Sequence, residues 1–203
     1  MSNGVDTSVV IGAFVTMVGG FLTVAKIMLA QATKDREADR KERLQLATAI
    51  TSMAENSKKV ADALNQVLAD EFVLYVKTLN FHWNIEGRDF HALHLFLDEQ
   101  YNQLQTIIDS VAERVRKIGH FAIGSMNEFL SSASLKEHAG AASVSENMIA
   151  ELATDHEAVI RTMRNLINDF EDKYDDSGSS DFITGIMKQH EKMAWMLRAS
   201  VPQ

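Results

Sequence analysis

The sequence predicts an all-α protein whose main body is a four-helix bundle. Apolar residues recur at helical spacing in four long runs, and no stretch shows the alternation of apolar and polar residues that is typical of a strand. The chain has 203 residues, 46% of them hydrophobic, and a single proline. This length suits one medium-sized domain with an appendage.

The four runs mark the helices of the bundle in chain order. Their apolar residues are Val60, Leu64, Val67, Leu68, Tyr75 and Leu79; Leu93, Leu97, Leu104, Ile108, Val111 and Val115; Met148, Leu152, Val159, Ile160, Met163, Ile167 and Phe170; and Phe182, Ile186, Met193 and Leu197. Gly87 and Gly119 end the first two runs, and "DDSGSS" separates the last two. The long link of residues 120–144 is expected to hold a short helix within "SMNEFLSSASLKE".

The amino terminus differs in character from the bundle. From Thr7 to Ala25 there are nineteen uncharged residues, and a helix of them, at about 1.5 Å per residue, nearly crosses a hydrocarbon core of about 30 Å. We expect residues 1–30 to form an apolar helix that enters a membrane through residues 7–29. The alternative is a helix that packs on a partner or within an oligomer. A secretory signal is not expected, because the first basic residue, Lys26, follows the apolar run.

Charge is distributed unevenly along the chain. Residues 31–56 are predicted to be a charged helical linker, since "KDREADRKER" alternates in sign and sums to only +1. The net charge of −8 belongs entirely to residues 57–203, the predicted bundle. An acidic body repels nucleic-acid phosphates and attracts cations, so DNA binding is expected to be absent or weak.

One set of metal-binding side chains lies on the second helix of the bundle. His94, Asp98, Asp109 and Glu113 fall within about 100° of the helical wheel, beside the apolar face. Asp98 and Asp109 are about 16 Å apart along the axis, so one chain cannot close both pairs around one metal. Two copies of the helix that meet antiparallel would form two equivalent sites. His82, across the Gly87 turn, is placed to complete each.

The ligand types restrict the chemistry of such a site. The chain has no cysteine, which excludes thiolate zinc sites, iron–sulfur clusters and disulfides. Two histidines with three carboxylates suit iron, manganese or zinc. Solvated surface residues are the alternative reading. No histidine follows a glutamate at E-x-x-H spacing, so a ferritin-type di-iron centre inside one bundle is not expected.

Several motifs together resemble the Dps family, the ferritin-like DNA-binding proteins from starved cells. They are "NFHWNIEG", "LHLFLDE", "IIDSVAERV" and "SSDFITGIMKQHEKMAWMLRAS", and the resemblance covers roughly residues 57–200. It implies a ferritin-like fold and a shell of twelve subunits that oxidises ferrous iron, preferentially with hydrogen peroxide, and stores a ferric mineral. It also implies di-iron ferroxidase ligands at His82, His94 and Asp98 of one subunit and at Asp109 and Glu113 of its two-fold mate. Zinc is expected to compete for the site.

Other residues have weaker assignments. Trp83 is expected in the core or at an interface, or beside the metal, and His91 in a structural role or hydrogen-bonded near the ligands. Glu99 is either a cavity-facing residue that nucleates mineral or a solvated one. The acidic residues Asp169, Asp172, Asp175 and Asp176 line an iron entry pore or form a solvated helix end. His156 and His190 are expected to be structural.

Three functions fit these observations. The first is a membrane-tethered ferroxidase and iron store on the cytoplasmic face, with its amino terminus outside. Twelve anchors on a closed shell cannot all enter one flat bilayer, so either few anchors engage or the assembly differs. The second is a soluble cytoplasmic shell that binds the nucleoid. The third is a scaffold that keeps the fold without catalysis. The complete ligand set favours the first over the third, and the charge distribution disfavours the second.

Overall fold

The described chain is helical, as the sequence predicts. A computed structural model describes residues 7–139 and 144–200, with side chains from Leu22 onward. Within those residues there are five α-helices and no strand. They are α1 (Thr7–Asn84), α2 (Phe90–Lys117), α3 (Met126–Ser132), α4 (Ser145–Asn168) and α5 (Ser177–Ala199), with a π-helical turn at Asp169–Lys173 after α4. The four long helices and the short link helix are therefore confirmed.

Helix α1 differs from the expected division into separate segments, because it runs without a break from Thr7 to Asn84. No glycine or proline occurs between Phe21 and Glu86, so nothing in the sequence interrupts the helix there. The chain nevertheless divides into two compact units between Ser52 and Met53. The predicted domains at 1–30, 31–56 and 57–203 remain predictions.

The predicted membrane span finds no support in the structure. Among the described residues, none of the helices is both long and apolar enough to cross a bilayer. This finding does not cover the whole predicted segment, because residues 1–6 and the side chains of residues 7–21 are outside the described residues.

The core of the second unit contains most of the apolar residues that the helical pattern selects. On α2, Leu97, Leu104 and Val111 are fully buried. Ile107 is buried as well, whereas the predicted Ile108 is only partly buried. The reason is the spacing of the buried face, which alternates between three and four residues, so that position 107 rather than 108 follows position 104.

Two glycines shape the ends of α1 and α2. Gly87 and Gly119 have φ angles of 114° and 91°, in the left-handed region where a side chain is strained. The Gly87 turn is short, so α2 folds back beside the end of α1. Ser125 begins α3 with a capping box, in which its hydroxyl accepts from the Glu128 amide and Glu128 accepts from the Ser125 amide.

A line of polar side chains crosses the apolar core. The His190 Nε2 atom lies 2.9 Å from the Glu71 carboxylate, and its Nδ1 atom lies 2.9 Å from Nδ1 of His156. All three side chains are fully buried. Burial, reinforced by His190, lowers the pKa of His156 well below its ordinary value. The two histidines thus occupy the core, whereas Glu71 was not singled out by the sequence pattern.

Candidate metal centre

Two predicted ligands, His82 and His94, are brought together where α1 ends and α2 begins. Their rings stack with centroids 3.8 Å apart and planes inclined by 18°. The His82 Nδ1 atom lies 3.0 Å from the His94 carbonyl oxygen, and the His94 Nδ1 atom lies 2.8 Å from the His82 carbonyl oxygen. The short Gly87 turn makes this reciprocal arrangement possible.

These contacts determine which ring nitrogen is available to a metal. A carbonyl oxygen only accepts hydrogen bonds, so each Nδ1 atom must carry the donated hydrogen. In the neutral ring the lone pair is then on Nε2. Metal-binding histidines commonly use one ring nitrogen as ligand while the other donates to a carbonyl or carboxylate. His82 and His94 are therefore prepared to bind a cation through Nε2.

Asp98 lies one helical turn after His94, and its carboxylate accepts hydrogen bonds from two neighbouring side chains. The Tyr101 hydroxyl donates to Asp98 Oδ1 at 2.5 Å, and the Asn102 amide donates to Oδ2 at 3.3 Å. The hydrogen bond to Asp98, with burial, raises the pKa of Tyr101 above its ordinary value near 10. Tyr101 also contacts the His82 ring edge to face at 5.2 Å. Sequence reasoning missed Tyr101, although its position three residues after Asp98 was visible.

The other two predicted ligands are near the far end of α2. Asp109 and Glu113 are both exposed, one helical turn apart. Glu113 accepts a hydrogen bond from Lys117 at 2.8 Å, and this contact lowers the pKa of Glu113. Because Asp98 and Asp109 lie on the same unbroken helix, their separation along its axis is about 16 Å.

A single chain does not assemble the five ligands. In the part of the chain that the structure describes, no group of three or more histidine and acidic side chains is arranged to hold a metal ion. The structure places His82, His94 and Asp98 at one end of α2, and Asp109 and Glu113 toward the other. The predicted inter-subunit site is not tested by one chain.

The residues that the sequence assigned more weakly are not part of the stacked pair of His82 and His94. Trp83, His91 and Glu99 are exposed, and Trp83 retains 68% of its accessible surface. The ring that stacks on the outer side of the pair is instead Phe90, 5.2 Å from His94. An exposed tryptophan of this size is typical of an interface residue.

Some of the acidic side chains predicted to line a pore after α4 form ion pairs or hydrogen bonds within the chain. Asp169 pairs with Lys173 at 2.7 Å. Asp176 caps α5 by accepting from the Ser179 amide at 2.8 Å, and Arg114 lies 3.2 Å from the same carboxylate. Asp172 and Asp175 are exposed. The predicted pore thus retains two solvated carboxylates, while Asp176 has a structural role.

Comparison with known proteins identifies the family. A model of the ferritin-like domain matches residues 61–202. The DNA protection during starvation protein 2 of Bacillus anthracis is 35% identical over 147 residues, which cover 72% of this chain and 99% of the relative. This chain belongs to the Dps family of ferritin-like proteins. An uncharacterised low temperature-induced protein of Nostoc sp. is 45% identical, over 72% of this chain and 82% of that protein.

Solved structures agree with this family. A Dps protein from Vibrio cholerae, described as a member of a superfamily of ferritin-like diiron-carboxylate proteins, matches with a TM-score of 0.67 and 32% identity, over 71% of this chain and 90% of that one. A Dps protein from Bacillus brevis matches with a TM-score of 0.68 and 34% identity, over 71% and 96% of the two chains. As a member of the Dps family, the chain has the all-helical ferritin-like fold.

Proposed function

We propose that this Dps-family protein is a ferroxidase and iron store. The observation that carries the proposal is the reciprocal contact of His82 and His94, which leaves both Nε2 lone pairs available, with Asp98 one helical turn after His94. Iron is the substrate and the stored product.

The complete site requires a second subunit. His82, His94 and Asp98 from one chain face Asp109 and Glu113 from a two-fold mate, because an antiparallel meeting of two α2 helices aligns the two ends. Two symmetrical sites result from each pair of chains. The single-chain structure supports this because it supplies one partial ligand group where α1 meets α2 and another toward the far end of α2, and no complete group among its described residues.

The donor set suits the oxidation of ferrous iron by peroxide. Two ferrous ions lose one electron each, and hydrogen peroxide accepts both as its O–O bond breaks, so the electrons balance. Carboxylates stabilise the more highly charged ferric product, and the histidines favour ferrous binding. Tyr101 and Asn102 hold the Asp98 carboxylate in place by hydrogen bonds. The two oxygen atoms of peroxide leave as hydroxide, or as water after taking up two protons from solvent. Protons are released only later, when the ferric ions hydrolyse to the oxide mineral.

We further propose that twelve subunits enclose the ferric product, as the resemblance to Dps implies. DNA binding is not part of the proposal. The related proteins of Bacillus anthracis and Brevibacillus brevis are named for DNA protection during starvation. In this chain the net charge of −8 lies in the bundle and offers few contacts that release counterions from DNA.

Stopped-flow absorbance of ferric product formation tests the proposal. The full-length protein, mixed with ferrous iron and a substoichiometric amount of peroxide, should form ferric product faster than buffer and keep it in solution. Zinc added first should slow the reaction, because the same ligands bind it. A rate equal to that of buffer, with ferric precipitate, would refute the ferroxidase assignment.

A further inference from the structure

The amino-terminal part of α1 carries large apolar side chains that are exposed in the structure. Every side chain described between Leu22 and Glu55 is exposed, including large apolar ones. The exposed fractions of Leu22, Leu29, Leu46, Ile50 and Met53 range from 57% to 71%. Helices in water gain most of their stability from packing an apolar face. This segment therefore needs a partner.

The sequence of the segment contains a seam of the kind that two helices share. Residues at alternating three- and four-residue steps fall on one face of α1. They are Leu22, Ala25, Leu29, Ala32, Arg36, Asp39, Arg43, Leu46, Ile50 and Met53. The seam is apolar at both ends and charged in the middle.

The charged middle distinguishes between the two ways of pairing this seam with a second copy. A parallel pair in register would place Arg36 on Arg36, Asp39 on Asp39 and Arg43 on Arg43, three successive layers of like charge. An antiparallel pair avoids all three. Its layers are Leu22 with Met53, Ala25 with Ile50, Leu29 with Leu46, Ala32 with Arg43, and Arg36 with Asp39.

The antiparallel layers are complementary in size and in charge. Small Ala25 faces large Ile50, and small Ala32 faces the long side chain of Arg43. Arg36 meets Asp39, whose carboxylate already lies 3.1 Å from Arg43 of its own chain. We propose that residues 22–53 of α1 are a docking surface for the same residues of a second copy, running antiparallel. This contact is separate from the α2 ligands and independent of the ferroxidase.

Cysteine cross-linking of the full-length protein tests the orientation directly, because the chain has no cysteine of its own. The double variant Ala25→Cys with Ile50→Cys should form covalent chain dimers on mild oxidation. The single variants Ala25→Cys and Ile50→Cys should stay monomeric on a non-reducing gel. In an antiparallel pair, position 25 of one chain is about 37 Å from position 25 of the other, so a single cysteine has no partner within disulfide reach. Positions 25 and 50 of one chain are separated by the same length of helix, so they cannot form a disulfide within the chain.

A matched control uses the opposite face of the same helix. Ile27→Cys with Thr48→Cys occupies the same level of the antiparallel pair but points away from the seam, and should give little covalent dimer. Circular dichroism and size-exclusion chromatography confirm that each variant folds and assembles. Cross-linking of the single variants would show a parallel pair and refute the proposal. So would equal cross-linking of both double variants, or a monomeric Ala25→Cys/Ile50→Cys protein that floats with phospholipid vesicles.

Discussion

His82 and His94 each place Nδ1 within 3.0 Å of the other residue's backbone carbonyl. The contact joins the end of α1 to the start of α2, so each imidazole is oriented by the main chain of the opposite helix. A ring fixed in this way loses little rotamer freedom when it binds a metal. The short turn at Gly87 is therefore part of the site as well as of the fold.

Removing either histidine should abolish most of the ferroxidase activity. His82→Ala or His94→Ala removes a proposed nitrogen ligand and the ring that stacks on the other histidine, while the backbone carbonyl that accepts from the remaining ring is kept. The loss of iron affinity should exceed the roughly 10- to 100-fold loss typical of removing an outer hydrogen bond. Ferrous titration and stopped-flow oxidation measure it. The exposed His91→Ala is the control, and an equal loss in that variant would argue against the ligand assignment.

Tyr101 should act through Asp98 rather than as a ligand. Tyr101→Phe keeps the ring but removes the hydroxyl that donates to Asp98 at 2.5 Å. Iron affinity should fall about tenfold while the helical content stays unchanged. Isothermal titration with ferrous iron under anaerobic conditions is the measurement. Tyr174→Phe removes a hydroxyl remote from the ligands in sequence and is the control; identical affinities in the two variants would exclude a positioning role for Tyr101.

Acid should destabilise the bundle through His156. Burial lowers its pKa well below the ordinary value near 6.5, so below that pH the unfolded chain binds a proton that the folded chain does not. Stability is therefore lost as the pH falls from about 6.5, by at most about 1.4 kcal/mol per pH unit. Urea unfolding at fixed protein concentration between pH 7 and pH 5 measures the slope. His156→Gln should flatten it, whereas a slope that matches the wild type would assign the effect to other groups.

DNA should bind weakly or not at all. The bundle carries the whole charge of −8, and residues 34–43 contribute only +1. Electrophoretic mobility shifts at low and moderate salt measure binding. A shift that persists at moderate salt and weakens steeply as salt rises would contradict this expectation.

The sequence predicted the helices and most of their buried positions better than the contacts around the candidate ligands. Leu97, Leu104 and Val111 follow from periodicity because core packing on a helix is local in sequence. The stacking of His82 on His94 depends on the path of the chain at Gly87, which periodicity does not specify. Glu71 was missed because its neighbour His190, which in turn contacts His156, comes from a helix distant in sequence.

Mixing two inactive subunits tests whether each metal site takes ligands from two chains. One variant lacks His94 and Asp98, and the other lacks Asp109 and Glu113. Each alone should be nearly inactive in peroxide-driven ferrous oxidation. Co-assembled at random, half of the dimers are mixed and each regains one of two sites, so about a quarter of the wild-type activity should return. No recovery in verified mixed assemblies would contradict the inter-subunit assignment and place the site within single chains.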